Sequence, residues 1–557
     1  MVRFRWTHVA AAAVLLVGCQ RLPQPQAAEA GGGTTGSEPS GSTFLPTADG
    51  LDDGSEDGAP TPDPTVCIEN RAISYLEINS IQDLAGVEVV RGPLHLKNMT
   101  HDKLQWVQCL RRVTDIQDLS GSLFIEDSIA LTDLDALQHL ESVSGALQIW
   151  DNPALDNVHG LSSLTNAERV IINRNPVLTS VAGLEHVVTQ VVDLADNPRL
   201  PNATFSAVSE LDSLWVDDNA RLAGLSFPQL TRAESVVLRE LPLLTNIDGL
   251  DALEEVDYIS LADLEAVTSV AGLASLREVT GNLRMSMLPA VDEVMLPSLT
   301  HTVSFGLDEM ASLERVELPS SDQLEEIHLA ALPQLEALPA VPASAGLHSI
   351  VLEDLPLIST LDRLEPGGLG MSHLMLSDMP MLSDLDTVTG TNGIEGTLSL
   401  VRLPLLDSLS FLADLTHVVG SASFESLPLL TSLEGLEQLQ SASDLSLAKL
   451  DGLTSLEGLG GLADVRALVV VENAQLGSLL GLEGVATAWR LVVAGNPALT
   501  NIDALYPAPE RARLQIGDRL QITGNATLSQ CDAEAFLQLL LDGGWLGENE
   551  VVDNGPC

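Results

Sequence analysis

The sequence predicts a β-dominated repeat solenoid, because one pattern of apolar residues returns along most of its length. Two neighbouring copies are LQIWDNPAL at 147–155 and VIINRNPVL at 170–178. The turn of this pattern recurs at eighteen positions between 128 and 525, with spacings of 22 to 24 residues except for the last. Self-similarity at a fixed period is typical of solenoids, in which each repeat stacks on its neighbours.

A helical repeat is the competing interpretation, because leucine at every third position also fits one face of a helix. Two-helix repeats need more than 30 residues, which is longer than these units. Proline recurs in the middle of the unit, as at Pro153, Pro176 and Pro497, where it would interrupt a helix. Each unit also begins with the apolar alternation of a strand. These three features favour β-strands.

The first nineteen residues have the pattern of an export signal. Two arginines in the first five residues precede an apolar run at 9–17, which is too short to span a membrane, and the segment ends in LVGC. This arrangement resembles bacterial lipoprotein signals. The resemblance implies a signal peptide at 1–18, cleavage before Cys19, diacylation of Cys19 and retention at a membrane by its acyl chains. The alternative is an ordinary secretory signal with a chance cysteine.

Residues 19–62 are predicted to be a disordered tether, because Gly, Ser, Thr, Pro and acidic residues dominate them. Such a segment supports the lipoprotein interpretation, since a lipid-anchored protein needs a leash between membrane and folded body. Gln20 does not provide the aspartate retention signal of enterobacteria. We therefore expect anchoring at the outer membrane or cell surface, with a periplasm-facing orientation left open.

Four further cysteines lie near the ends of the array and permit three pairings. Export leads to an oxidising compartment in which disulfides form. The ends of a long array cannot meet, so we expect Cys67 to pair with Cys109 and Cys531 with Cys557. We place an N-terminal cap with the first rungs at 63–127, the regular repeats at 128–530 and a C-terminal cap at 531–557. A short capping helix over 533–541, started by Asp532, would cover the last rung.

The residue at the turn divides the array into three parts. Asparagine occupies this position in early and late units, where it can bond the backbone of its own turn and of the next rung. Leucine or methionine replaces it in most central units, so we expect the corner to be drier there. The asparagine positions are Asn152, Asn175, Asn197, Asn219, Asn473, Asn496 and Asn525.

These turns resemble receptor L-domain repeats and their bacterial leucine-rich relatives over about residues 67–557. The resemblance rests on Asn-Pro-x-Leu followed by Gly-Leu, as in 152–161. It implies a right-handed solenoid with one long parallel sheet, used in that family for protein or ligand recognition. Longer spacing and the loss of asparagine in the centre depart from the usual consensus, and no particular ligand is implied.

Composition and motifs exclude several functions. The chain has 26 basic and 78 acidic side chains, a net charge of −52, which disfavours nucleic acid as a partner. The eleven histidines lack metal-site spacing, and neither a phosphate loop nor a nucleophile elbow occurs. We therefore expect no catalytic residues, no metal site and no cofactor.

The candidate binding residues lie on the outward face of the predicted sheet. If Leu147 and Ile149 point inward, Trp150 points outward, and the same register exposes Phe124, Ile171 and Trp215. Exposed aromatic side chains are scarce here and often mark interaction sites. The alternative is that loops or the N-terminal cap cover them.

A column of acidic residues precedes the turn and forms a second candidate. Like charges about 5 Å apart are unfavourable unless they are hydrated, paired or bridged by cations, so weak Ca²⁺ association is one interpretation. The alternative is a solvated edge of turn-forming residues. The column comprises Asp127, Asp151, Asp196, Asp218, Glu240, Asp263, Glu309, Asp354, Asp378 and Glu472.

Together these features predict a lipid-anchored recognition or adhesion scaffold of the cell envelope, which binds a protein or glycan through its sheet face. One alternative is a structural envelope protein without a specific ligand. Another is a β-helical polysaccharide-active enzyme. Such enzymes usually build their sites from long loop insertions, and the even spacing here leaves little room for those.

Overall fold

The computed structural model describes residues 63–318, 323–341, 346–364, 370–385, 388, 391–506 and 514–557. The expected signal peptide (1–18), the lipidation site Cys19 and the tether (19–62) lie outside the described residues. No helix in the described part of the chain is long and apolar enough to cross a membrane.

Short strands follow one another along the described chain. They are β1 (Ala72–Ser74), β2 (Val89–Arg91), β3 (Leu94–Lys97), β4 (Arg112–Thr114), β5 (Leu123–Glu126), β6 (Ser142–Trp150), β7 (Asn166–Asn173), β8 (Val191–Ala195), β9 (Asn202–Thr204), β10 (Glu210–Asp217), β11 (Gly224–Ser226), β12 (Arg232–Arg239), β13 (Glu255–Ala262) and β14 (Glu278–Ser286). They continue as β15 (Glu293–Met295), β16 (His301–Asp308), β17 (Arg315–Glu317), β18 (Glu326–Ala330), β19 (Ser349–Glu353), β20 (Met371–Ser377), β21 (Gly393–Val401), β22 (His417–Glu425), β23 (Ser441–Ala448), β24 (Asp464–Val471), β25 (Thr487–Ala494), β26 (Gln515–Thr523) and β27 (Glu548–Val552).

Helices are few and short. The α-helices are α1 (His101–Leu104) and α2 (Gln530–Asp542). Single 3₁₀ turns span Tyr75–Glu77, Ile81–Leu84, Gln105–Val107, Asp135–Leu137, His159–Leu161, Asp248–Leu250, Ala271–Leu273, Ser410–Leu412 and Asp503–Leu505. The 3₁₀ turns of neighbouring rungs contact one another, as Asp135–Leu137 does His159–Leu161 and Asp248–Leu250 does Ala271–Leu273.

The strands form a parallel β-solenoid, as the repeat predicts. Twenty-three of them build one parallel sheet, in which each rung pairs with the next. At the N-terminal end two short strands replace each long one, so that β4 and β5 both pair with β6. Two small parallel pairs, β9 with β11 and β15 with β17, form elsewhere in the rungs.

The core is a continuous aliphatic cluster that runs the length of the array. Strand residues alternate between this core and the outward face, so Leu147 and Ile149 are fully buried while Trp150 is partly exposed. Aromatic side chains enter the core at few rungs, as where the stacked rings of Phe205 and Phe227 lie 5.2 Å apart. Stacking buries in every rung a face that one repeat cannot bury alone.

Every strand that ends at the turn is followed by a residue in the left-handed backbone conformation. Twenty described residues share this position, with φ between 47° and 66°. This single left-handed residue bends the chain out of the sheet at the same point of each rung. The column comprises Asn98, Asp127, Asp151, Arg174, Asp196, Asp218, Glu240, Asp263, Met287, Glu309, Ala331, Asp354, Asp378, Arg402, Ser426, Lys449, Glu472, Gly495, Gly524 and Asp553.

The next residue in the early and late rungs is a fully buried asparagine, and these asparagines form a ladder. The Oδ1 atom of Asn175 accepts from the backbone N–H of Asn152 in the preceding rung at 3.2 Å. Its Nδ2 donates to the carbonyls of Ile149 and Asn173, each at 3.0 Å. The side chain thus pairs backbone groups that the bend would otherwise leave unpaired.

In central rungs the backbone N–H groups at the bend are paired without a polar side chain. Leu241 and Leu264 are fully buried at the corner, which is therefore apolar as expected. Their N–H groups donate to the carbonyls of Asp263 and Met287, in the left-handed column of the next rung, both at 3.3 Å.

Both ends carry a disulfide, and the pairings are those expected: Cys67 with Cys109 and Cys531 with Cys557. Closing a loop of the second bridge's length contributes about 3–4 kcal/mol in the chain-entropy model. Helix α2 begins earlier than the sequence indicates. Its N-cap is Ser529, whose hydroxyl accepts from the N–H of Asp532 at 3.3 Å, so Asp532 lies in the first turn rather than at the cap.

The C-terminal cap also contributes a strand that the sequence pattern does not indicate. Strand β27 follows α2 and pairs in parallel with β26. The asparagine ladder continues into it, since Asn554 Oδ1 accepts from the N–H of Asn525 at 3.3 Å. Gln530 Oε1, in α2, then accepts from the N–H of Asn554 at 3.2 Å. The helix therefore closes the ladder with a side-chain amide.

We expect Asn175→Ala to lower the free energy of unfolding by at least about 2 kcal/mol. The change leaves a buried N–H and a buried carbonyl unpaired, and each such group costs about 1–3 kcal/mol. Urea denaturation followed by circular dichroism measures the effect. Asn166→Ala is the matched control, because Asn166 is exposed on strand β7. Equal midpoints for the two variants would refute a structural role for the ladder.

Candidate functional site

The outward face of the N-terminal strands brings the expected binding residues together. Strand pairing aligns Phe124, Gln148, Ile171, Asp193 and Trp215 in one column, a residue from each of five successive strands. The three apolar members of this column are partly exposed. The expected outward register is therefore correct at these positions, and neither loops nor the N-terminal cap bury them.

Trp150 lies in the adjacent column, two residues further along its strand. Its direct neighbours there are Glu126 and Asn173. The indole Nε1 donates to Glu126 Oε2 at 2.5 Å, and the guanidinium of Arg174 lies 5.6 Å from the centre of the ring. Trp150 is thus held by a hydrogen bond at its edge and by a cation–π contact.

Glu126 links Trp150 to the first strands of the sheet. Its Oε1 lies 3.4 Å from Nδ1 of His95, whose ring stacks on Phe124 with centroids 4.2 Å apart. The hydrogen bond from His95 holds the pKa of Glu126 below its ordinary value, and the bond from Trp150 adds to this effect against the opposing effect of burial. The Glu126 carboxylate orients the rings of Trp150 and His95, and His95 in turn packs on Phe124. This end of the face is therefore preorganised.

Asp193 lies in the middle of the face between Ile171 and Trp215, where burial makes its ionised form unfavourable. Its Oδ1 is buried and has no hydrogen-bond partner among the described residues. Burial raises the pKa of Asp193, and the nearby carboxylates of Asp217 and Asp196 raise it further. The Asn173 side chain and the Arg169 charge oppose this shift without cancelling it. A desolvated carboxylate with a perturbed pKa among exposed apolar side chains is typical of functional sites.

A partly buried ion pair borders the face beyond Trp215. Asp217 is only 6% exposed, and Arg239 on the next strand donates to both of its oxygens, from Nε at 2.9 Å and from Nη2 at 2.7 Å. The sequence pattern did not indicate these residues, although they occupy the column of Trp150. The same alternation, extended by two residues on each strand, identifies them.

The acidic column has a conformational cause. All ten of its members occupy the left-handed position, which aspartate tolerates better than most residues. Bases of this edge pair with acids on neighbouring rungs: Lys97 Nζ lies 2.8 Å from Asp127 Oδ2, and Arg174 pairs with Asp151. Within the described ranges, no group of three or more acidic, histidine or cysteine side chains is arranged to hold a metal ion.

A further exposed aromatic residue lies far from this site. Trp489 on β25 is 60% exposed and lines a shallow groove in the C-terminal rungs. The sequence pattern did not indicate it, because the register of β25 against β26 shifts between Ala488 and Arg490. Strict alternation counted back from the buried Leu491 places Trp489 inward, so the irregularity of the strand, which the sequence does not reveal, is what exposes it.

Comparisons with known proteins fit a recognition scaffold. Residues 86–187, which carry most of the candidate site, match the model of the Receptor L domain family. Cell wall protein ecm33 of Schizosaccharomyces pombe is 26% identical to this chain in an alignment 211 residues long, which covers 33% of the chain. The chain spans about half (47%) of the length of that relative.

Solved structures give distant matches. An internalin from Listeria monocytogenes shares 13% identity with a TM-score of 0.22, and the match covers 69% of this chain and 88% of the internalin. The TLR13 chain of a TLR13–ssRNA13 complex also shares 13% identity, with a TM-score of 0.18 and coverage of 78% and 84%.

We expect Asp193→Asn to stabilise the protein at neutral pH. The folded-state pKa of Asp193 lies above 3.8, so ionisation penalises the folded state, and the amide removes that penalty. The gain should be present above the folded pKa and should disappear as the pH falls towards 3.8. Thermal unfolding at several pH values tests this, with Asp212→Asn, at an exposed position of β10, as the control. A loss of stability at pH 7 would show that the carboxylate is satisfied.

Proposed function

We propose that this protein is a cell-surface recognition scaffold that binds a protein or glycan through the N-terminal part of its outward sheet face. One observation carries the proposal: Phe124, Trp150, Ile171 and Trp215 stay partly exposed on the face that also holds Asp193, whose Oδ1 has no hydrogen-bond partner among the described residues. Exposed apolar area contributes about 25 cal/mol per Å² when a partner covers it, and tryptophan dominates binding hot spots.

The charge of the site favours a partner with a basic side chain. Asp193 lacks a hydrogen-bond donor at Oδ1 among the described residues, and the whole chain has a net charge of −52. A lysine or arginine placed between Ile171 and Trp215 would be attracted by the charge of the carboxylate and would contact the indole face. The same net charge disfavours nucleic acid. Any Ca²⁺ association at the acidic edge should be weak, because Lys97 and Arg174 already pair with acids there.

A lipid anchor at the envelope completes the proposal. The LVGC sequence that ends at Cys19, followed by a polar tether, supports lipidation, and the match to a fungal cell wall protein supports a surface location. A non-enzymatic role is supported by the match to the Receptor L domain and by the regular spacing of the rungs.

We expect Trp150→Ala and Trp215→Ala to weaken binding to the physiological partner by at least about 1 kcal/mol, on the order of a hot-spot residue, with little change in thermal stability. Partners can be captured from envelope and extracellular extracts, and the affinity of each is then measured by calorimetry. Leu546→Ala is the control, because Leu546 is 94% exposed in the C-terminal cap. Unfolding at markedly lower temperature with affinity intact would show that the two indoles serve packing instead.

We expect Cys19→Ser to move the protein from the membrane fraction to a soluble fraction. The acyl chains would supply the membrane attachment, since a surface of this acidity repels anionic headgroups. Fractionation and immunoblotting measure the distribution, with the intact chain as reference. Membrane association that survives the substitution would contradict the lipid anchor.

A further inference from the structure

The C-terminal rungs carry an exposed tryptophan on a fixed support. Trp489 is 60% exposed, and a Cβ atom added to Gly517 would lie 2.4 Å from its Cε3 atom. The six-membered ring therefore lies directly against the backbone of Gly517. The absence of a side chain at this position is what allows the contact.

A second tryptophan fixes this support from the other side. Trp545 follows helix α2, and its Nε1 donates to the carbonyl of Gly517 at 3.2 Å. Its ring in turn lies within 2.5 Å of where a Cβ of Gly547 would be. The backbone under Trp489 is thus tied to the disulfide-closed cap, so the indole is a rigid platform that loses little entropy when a ligand covers it.

Trp489 stands in a groove of about 580 Å³ that crosses five strands, from β22 to β26. At about 4.8 Å per strand the groove extends for roughly 20 Å. Its lining combines exposed apolar atoms with hydroxyl, amide and carboxyl groups. The lining includes Ser443, Asp464, Arg466, Thr487, Trp489 and Gln515.

The charge in the groove is balanced, in contrast to the rest of the molecule. Asp464 and Arg466 are its one acid and its one permanent base, while the whole chain carries −52. Asp464 accepts from the Thr487 hydroxyl at 2.7 Å, and Arg466 pairs with Asp444 on the neighbouring strand. Polyanions are repelled by the net charge, and a lining with one acid and one base gives a cationic ligand little local attraction. The charge therefore matches an uncharged ligand.

Polar groups in the groove and at its edge remain available to such a ligand. Among the described residues, the side chain of Gln515 in the lining makes no hydrogen bond, and that of Arg490, which follows Trp489 outside the lining, has no ion-pair partner. Amide and guanidinium groups are planar and can bond two neighbouring hydroxyls at once. Next to an exposed indole they form an apolar surface with a few oriented polar groups, as in small-molecule sites.

We propose that this groove binds a neutral oligosaccharide. The indole of Trp489 packs against the C–H face of one pyranose ring, while Gln515, Asp464 and Arg490 bond hydroxyls of that sugar and its neighbours. An extended groove of this length accommodates a short chain of sugars rather than a single one. This site is independent of the N-terminal face, which is argued from different residues.

Isothermal titration calorimetry with the full chain tests the proposal. The probes are four neutral hexasaccharides (cellohexaose, laminarihexaose, maltohexaose and chitohexaose) and one anionic hexasaccharide, hexagalacturonate. We expect at least one neutral probe to bind and hexagalacturonate to bind more weakly. Trp489→Ala should reduce the affinity at least tenfold, and Trp489→Phe should retain most of it.

Two further variants separate binding from folding. Gln515→Ala removes a hydrogen-bonding group without touching the contact between Trp489 and Gly517, and it should weaken the same probe. Trp150→Ala, in the N-terminal face, should bind the probe as the unmodified chain does. The proposal is wrong if no neutral hexasaccharide binds, if hexagalacturonate binds more tightly, or if Trp489→Ala and Gln515→Ala leave the affinity unchanged. The proposal is also wrong if Trp489→Ala weakens binding of a partner protein but of none of the oligosaccharides.

Discussion

The bend at the end of each strand is the constraint on which the solenoid depends. One residue per rung takes the left-handed conformation, and the same bend recurs twenty times in the described chain. Because the bends align, the strands stay in parallel register and the leucines of successive rungs meet in one core. Left-handed φ costs a non-glycine residue about 1–3 kcal/mol where its surroundings hold it. Stacking on both neighbours supplies that support.

The bend also shapes the surface chemistry. Aspartate recurs at the left-handed position because its side chain tolerates it, and the consequence is a line of acids along one edge. The acidic column therefore reflects backbone geometry and is not by itself evidence for a ligand. Asp193 is different, because it lies on the flat face, where backbone conformation does not demand an acid. Its raised pKa and unsatisfied oxygen make it a better indicator of function than the longer acidic column.

Periodicity in the sequence predicts the strands, the inward register and the buried asparagines, because each is a local property repeated many times. The two disulfide pairings follow from the distance between the ends of an array. The sequence pattern does not predict the first residue of α2, which depends on the hydroxyl of Ser529. Nor does it predict strand β27, which depends on pairing with β26. The aromatic face is predictable from alternation alone. The unsatisfied state of Asp193 is not, because it depends on which donors three neighbouring strands supply.

The two kinds of corner have different consequences for how the array changes in evolution. An asparagine rung is tied to both neighbours, since Asn175 serves Asn152 behind it and bonds Asn197 ahead. Duplicating or deleting such a rung has to preserve a matching partner on each side. A leucine rung such as that of Leu264 bonds only through backbone groups that every rung possesses. The middle of the molecule is therefore where repeats can be gained or lost at least cost, so relatives should differ in length there and agree at their ends.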